Sequence, residues 1–126
     1  MDAMNTADLL HRIGAEVSAW PGVGVRSHRF GGSEFSVGRR ELGHLHANGL
    51  ADMPFTKRVR DELIAQGRIV RHHVLPDSGW GTRFIRDEAD ADAVVELFRM
   101  QYQRALEADG AASQDEAEPA RRSPES

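Results

Sequence analysis

The sequence predicts an α+β domain, with a single, mostly antiparallel sheet of about five to six strands and three helices packed against it. Three observations lead there. Apolar residues recur at helical spacing near both ends of the chain and over a short central stretch. Between them lie short runs containing Val and Phe, separated by glycine-rich or charged breaks, as in an antiparallel meander. Asn48-Gly49 stands between two such runs and is the strongest hairpin signal in the chain.

The first helix is expected over 5–20. Leu9, Leu10, Ile13, Val17 and Trp20 share its buried stripe, Asn5 or Thr6 caps it, and Pro21-Gly22 ends it. Strands follow within 23–55: Val23 to Phe30, Glu34 to Gly38, Glu41 to Ala47, and a return strand from Leu50 to Phe55. Thr56 opens a second helix over 57–66, with Val59, Leu63 and Ile64 buried and Gly67 at the left-handed position after its end. Lys57, Arg58 and Arg60 crowd the end of this helix that disfavours cations. They suit either an anionic partner or a solvated basic face balanced by Asp61 and Glu62. Strands at 68–75 and 80–86 form a second hairpin around Pro76-Asp77-Ser78-Gly79. A helix over 88–107 closes the domain, with an acidic start and an apolar face of Val94, Val95, Leu97, Phe98, Tyr102 and Leu106.

The 126 residues are expected to form one domain over 1–107, followed by a disordered acidic tail over 108–126. The tail from Asp109 holds five acidic side chains and two arginines, so most of the net charge of −4 falls there and the body is near neutral. A near-neutral body argues against a nucleic-acid partner and against a polybasic membrane anchor. No apolar run approaches the roughly 18 residues that span a bilayer, and the first residues lack the pattern of a secretory signal, so a cytoplasmic location is expected. With no cysteine, disulfides, thiolate metal sites and a cysteine nucleophile are excluded.

Polar chemistry concentrates in Gly38–Phe55. On a regular strand, Leu42, His44 and His46 point one way and Glu41, Gly43 and Leu45 the other. Only one of the adjacent His72 and His73 can join that histidine face. Three imidazoles from two strands could ligate a metal, through His44, His46 and one of His72/His73, with Asp52 the nearest carboxylate. Neutral histidines hydrogen-bonded in a polar pocket are the expected alternative, with no metal and no cofactor. In Gly79-Trp80-Gly81 an indole sits between two residues without side chains, either as a ligand wall or as a core tryptophan. Arg71 and Arg83 could pair with Glu41 or meet an anionic oxygen. A phosphate-cradling glycine loop, a G-x-S-x-G elbow and an H-E-x-x-H helix are all missing from the sequence.

The run Arg40-Glu41-Leu42-Gly43-His44-Leu45-His46, followed by Gly79-Trp80-Gly81 and a closing helix with an acidic start, resembles the luciferase-like domain family. That family includes the fungal luciferases and many small bacterial proteins. The resemblance covers roughly Trp20 to Ala105, and the R-E-x-x-H-x-H core is its most specific part. Fungal luciferases oxygenate a hydroxylated styryl-pyrone with molecular oxygen and need no metal or flavin. The resemblance therefore implies a pocket for a flat, oxygen-rich small molecule, though not light emission, and carries over to Arg40, Glu41, His44, His46 and Trp80. Relative to the luminous members the chain is expected to be shorter, to be without their N-terminal membrane segment, and to differ after Asn48. A fainter likeness is to the YjbR/MmcQ-like domains. In a cofactor-independent oxygenase on this plan, His44 or His46 acts as base, Glu41 orients an imidazole only if a bend in the strand brings it round, and Arg40 or Arg83 stabilises the anion. Trp80, Arg83 and one or other of His72 and His73 are expected to contact the ligand. The other expectation is a non-enzymatic interaction domain that uses the basic edge of the second helix.

Overall fold

The computed structural model describes residues 4–27, 31–72 and 77–116. Among these residues there are three helices and one open antiparallel sheet of six strands, as the sequence predicts. The elements are α1 (Thr6–Ser18), β1 (Val23–Ser27), β2 (Ser33–Val37), β3 (Arg40–His46), β4 (Leu50–Pro54), α2 (Lys57–Ala65), β5 (Val70–Arg71), β6 (Trp80–Phe84) and α3 (Glu88–Glu116). The strand order is β1-β2-β3-β4-β6-β5. Among the described residues, no helix is long and apolar enough to cross a membrane.

Local chemistry accounts for the boundaries. The Asn5 side chain accepts the Asp8 N–H at 2.8 Å and caps α1. Thr56 caps α2 by accepting the Val59 N–H at 3.2 Å. At the other end of α2, the Gly67 N–H meets the Ile64 carbonyl and the Arg68 N–H meets the Leu63 carbonyl, each at 2.9 Å, while Gly67 holds φ at 74°. That is the Schellman arrangement, in which a glycine takes the left-handed position. β3 and β4 are joined by three residues rather than two. His46 pairs with Leu50, the Gly49 N–H bonds the His46 carbonyl at 3.0 Å, and Gly49 takes φ 96°. Asn48-Gly49 thus marks the turn, but with one more residue than the tightest hairpin uses.

α1 lies over β1 and β2, and α3 lies over β2, β3 and β6. Between them and the sheet is the core. Leu9, Ile13 and Val17 from α1 and Val94, Leu97 and Phe98 from α3 meet Phe35, Leu45, Ala51 and Met53 from the strands. Phe35 and Phe98 stack edge to face with centroids 5.4 Å apart. The Tyr102 hydroxyl donates to the Pro21 carbonyl at 2.7 Å and pins the middle of α3 to the turn after α1. α2 packs at the β5/β6 edge, where its Leu63 joins the core.

Three expectations change in detail. α3 continues to Glu116, past the limit of 107, and residues 117–126 of the expected tail lie outside the described residues. The strand expected over 68–75 is present as Val70–Arg71, and 73–76 also lie outside the described residues. β3 does not alternate regularly. Phe35 pairs with Gly43 but Ser36 pairs with Glu41, so Leu42 is an extra residue in a β-bulge. The bulge moves Leu42 onto the core side, where it is buried, and turns Glu41 to the side of His44.

Gly43 makes this possible because it is pressed between layers. A Cβ there would stand 2.6 Å from Met53 Cγ and 2.8 Å from the Asp52 carbonyl oxygen. Gly43→Ala is therefore expected to destabilise the fold by about 2–3 kcal/mol, read as a lower urea midpoint at unchanged m-value. A midpoint equal to wild type would contradict the packing described.

Candidate functional site

Register alone assembles a polar row on the sheet face opposite α1 and α3. Glu34 pairs with His44, His44 with Asp52, and Asp52 with Thr82, so these side chains stand side by side across β2, β3, β4 and β6. His46 follows His44 at strand period two, and Trp80 precedes Thr82 on the same face.

Asp52 is the centre. It is 2% exposed, and its Oδ1 accepts the Thr82 hydroxyl at 2.5 Å. Three imidazoles face its other oxygen: Oδ2 lies 2.8 Å from His46 Nε2, 3.4 Å from His72 Nε2 and 3.9 Å from His44 Nε2. His44 turns its other nitrogen to Glu41, with Nδ1 2.7 Å from Oε2. A carboxylate only accepts hydrogen bonds, so this contact assigns the Nδ1 proton and leaves Nε2 on the Asp52 side. That Glu41 hydrogen bond raises the His44 pKa above the ordinary imidazole value; burial works against it, and the charges of Glu41, Asp52 and Glu34 add to it. Trp80 closes the group, its ring centroid 5.4 Å from that of His44 and 6.1 Å from that of His72.

Of the residues singled out from the sequence, His44, His46, Glu41, His72 and Trp80 come together. His73 lies outside the described residues. Arg40 is exposed at the start of β3 and borders a cleft of about 270 Å³ with Glu41, Pro54, Gln101 and Arg104. Arg83 is on the opposite face. Its guanidinium donates to the Arg68 carbonyl at 3.0 Å and to Asp90 Oδ1 at 2.7 Å, joining β6 to α3. Arg71 pairs with Gly81, one residue out of step with Trp80. The glycines beside Trp80 are packed against the chain, since a Cβ at Gly79 would stand 1.9 Å from the Phe55 carbonyl oxygen and one at Gly81 2.4 Å from Ile69 Cδ1. Arg60, read as part of a basic edge, is buried; it bonds Asp61 and the Ser78 carbonyl.

Sequence reasoning missed Thr82 as the partner of Asp52. The signal was available in its place two residues after Trp80, which puts both on one strand face. It also left the side of Glu41 to an unspecified bend, which the bulge supplies. A second cleft, of about 350 Å³, lies beside α1 and is lined by Leu10, Gly14, Val25, Phe35 and His46 among others. The two clefts touch the cluster only at its edges, through His46 and Glu41, and neither is lined by His44, His72 or Trp80.

A family model described as Luciferase domain matches residues 39–101, which is half of the chain. The matched range contains every member of the cluster from Glu41 to Thr82. Neither the curated proteins nor the solved structures contain a match.

The Glu41 contact has a measurable consequence. Because the folded-state pKa of His44 is raised, its contribution to stability is fully present below the unfolded imidazole value of about 6.5 and is lost as pH rises through the folded value. In an NMR titration, Glu41→Gln is expected to lower the His44 midpoint. The stability advantage of wild type over that variant is expected to grow as pH falls from about 8 to about 6. An unchanged midpoint would refute the pairing.

Proposed function

The chain belongs to the Luciferase domain family, and from that premise we propose that the face bearing His44, His46, His72 and Trp80 binds a small, flat, oxygen-rich molecule and acts on it as an oxygenase-type enzyme. The observation that supports this reading best is the convergence of three imidazoles and an indole around one buried carboxylate. An aromatic ligand finds a stacking partner in Trp80, and its hydroxyl or carbonyl oxygens find imidazole nitrogens beside it.

In the proposed reaction His44 Nε2 takes the proton of an acidic hydroxyl, and Glu41 stabilises the imidazolium that forms. The raised pKa of His44 strengthens it as a proton acceptor. The electron-rich anion is then the species that meets molecular oxygen. Arg40 borders the cleft toward α3 with Gln101 and Arg104 and is given no part at the histidine face. Arg83 has no part in this scheme, since Asp90 and the Arg68 carbonyl hold it on the other side of the sheet.

The test is a binding titration with hydroxy-pyrones and flavonoid-like phenols, followed by the fluorescence of Trp80 in a Trp20→Phe background. Wild type is expected to bind at high micromolar concentration or better. The double variant His44→Ala, His46→Ala is expected to bind at least about tenfold more weakly, a loss of about 1.4 kcal/mol. Absence of binding, or equal binding by the variant, would sink the proposal.

A further inference from the structure

We propose that His44, His46 and Asp52 form a site for one divalent first-row transition ion. Their donor atoms all lie within 4.8 Å of one another. Ligands held about 2.1 Å from an ion at tetrahedral angles stand about 3.4 Å apart. The separations of 2.8 and 3.9 Å between Asp52 Oδ2 and the Nε2 atoms of His46 and His44 bracket that value.

The surroundings of the donors fit the same reading. A metal-bound histidine usually gives its other ring N–H to a carboxylate, which fixes both tautomer and direction. His44 does this with Glu41 at 2.7 Å, so its neutral ring presents the Nε2 lone pair on the side of Asp52. Thr82 holds Asp52 Oδ1 at 2.5 Å and leaves Oδ2 as the oxygen that the imidazoles face.

The donor set selects the ion. Imidazoles with one carboxylate suit iron(II), zinc and their neighbours, whereas magnesium and calcium favour oxygen throughout. A two-histidine, one-carboxylate set on one side of an ion leaves positions for oxygen ligands. This inference rests on the small-molecule reading of the face only for what fills those positions. Were an ion bound, it would supply Lewis acidity at those positions, and His44 would hold the ion in place of the role of base given to it in the ion-free protein.

The experiment uses the full chain without a histidine tag, stripped with a chelator and titrated with cobalt(II) and with zinc. Bound ion is counted by elemental analysis, affinity is measured against a chromophoric chelator, and the cobalt visible spectrum reports the ligand field. The expected result is about one ion per chain. Asp52→Asn or His46→Ala should weaken binding at least about hundredfold, and Glu41→Gln about tenfold to hundredfold. His11→Ala, an exposed histidine on α1, should change nothing. Should Asp52→Asn fail to fold by circular dichroism, His46→Ala and Glu41→Gln, both at half-exposed positions, decide the matter. Uptake far below one ion per chain, or uptake undiminished in these variants, would overturn the proposal. Phenol binding repeated in excess chelator separates the two readings, since binding that persists with no ion bound leaves the small-molecule site standing by itself.

Discussion

A carboxylate taken out of water is stable only if its surroundings replace the lost hydration, and Asp52 imposes that condition on four strands at once. Left unpaired, such a group costs several kcal/mol. β6 must therefore present Thr82, β3 must present His46, and the chain leaving β5 must present His72. A slip of one residue in the β3–β4 or β4–β6 register would carry Asp52 to the helix side, among Leu45, Met53 and Phe98. The polar site and the apolar core thus specify the same register from opposite faces of the sheet.

The bulge in β3 is the second constraint. Regular alternation would bury Glu41 beside Leu45 and send Leu42 out among the histidines. With the extra residue, Leu42 reaches the core and Glu41 stands against His44. Gly43 is the hinge of this change, since Met53, the Asp52 carbonyl and Phe98 leave no space for a side chain there. One local irregularity improves the packing of one face and completes a histidine–carboxylate pair on the other.

Much of this was legible in the sequence because it follows from local chemistry. Asn5 and Thr56 announce their helices, Gly67 ends one, and Asn48-Gly49 turns β3 back on β4. The R-E-x-x-H-x-H run pointed to the family that the match over residues 39–101 shows. The rest depended on pairing between distant strands. Period two could not say that Glu41 joins His44, although a glycine inside a strand is a known mark of a bulge and Gly43 was there to be read. That His72 comes to lie beside Trp80 depends on the β5–β6 register, which pairs Arg71 with Gly81. Arg83 and Arg60 looked available because their partners, Asp90 and the Ser78 carbonyl, belong to other elements.

The central claim is that Asp52 orders the imidazoles around it, and the ring protons of the histidines report on this directly. In nitrogen-15 spectra of the ion-free protein at mildly alkaline pH, His46 should carry its proton on Nε2, bonded to Asp52, and His44 on Nδ1, bonded to Glu41. Asp52→Asn should disturb the His46 tautomer and leave that of His44 in place. A His46 ring protonated on Nδ1, or identical spectra from wild type and Asp52→Asn, would contradict the account.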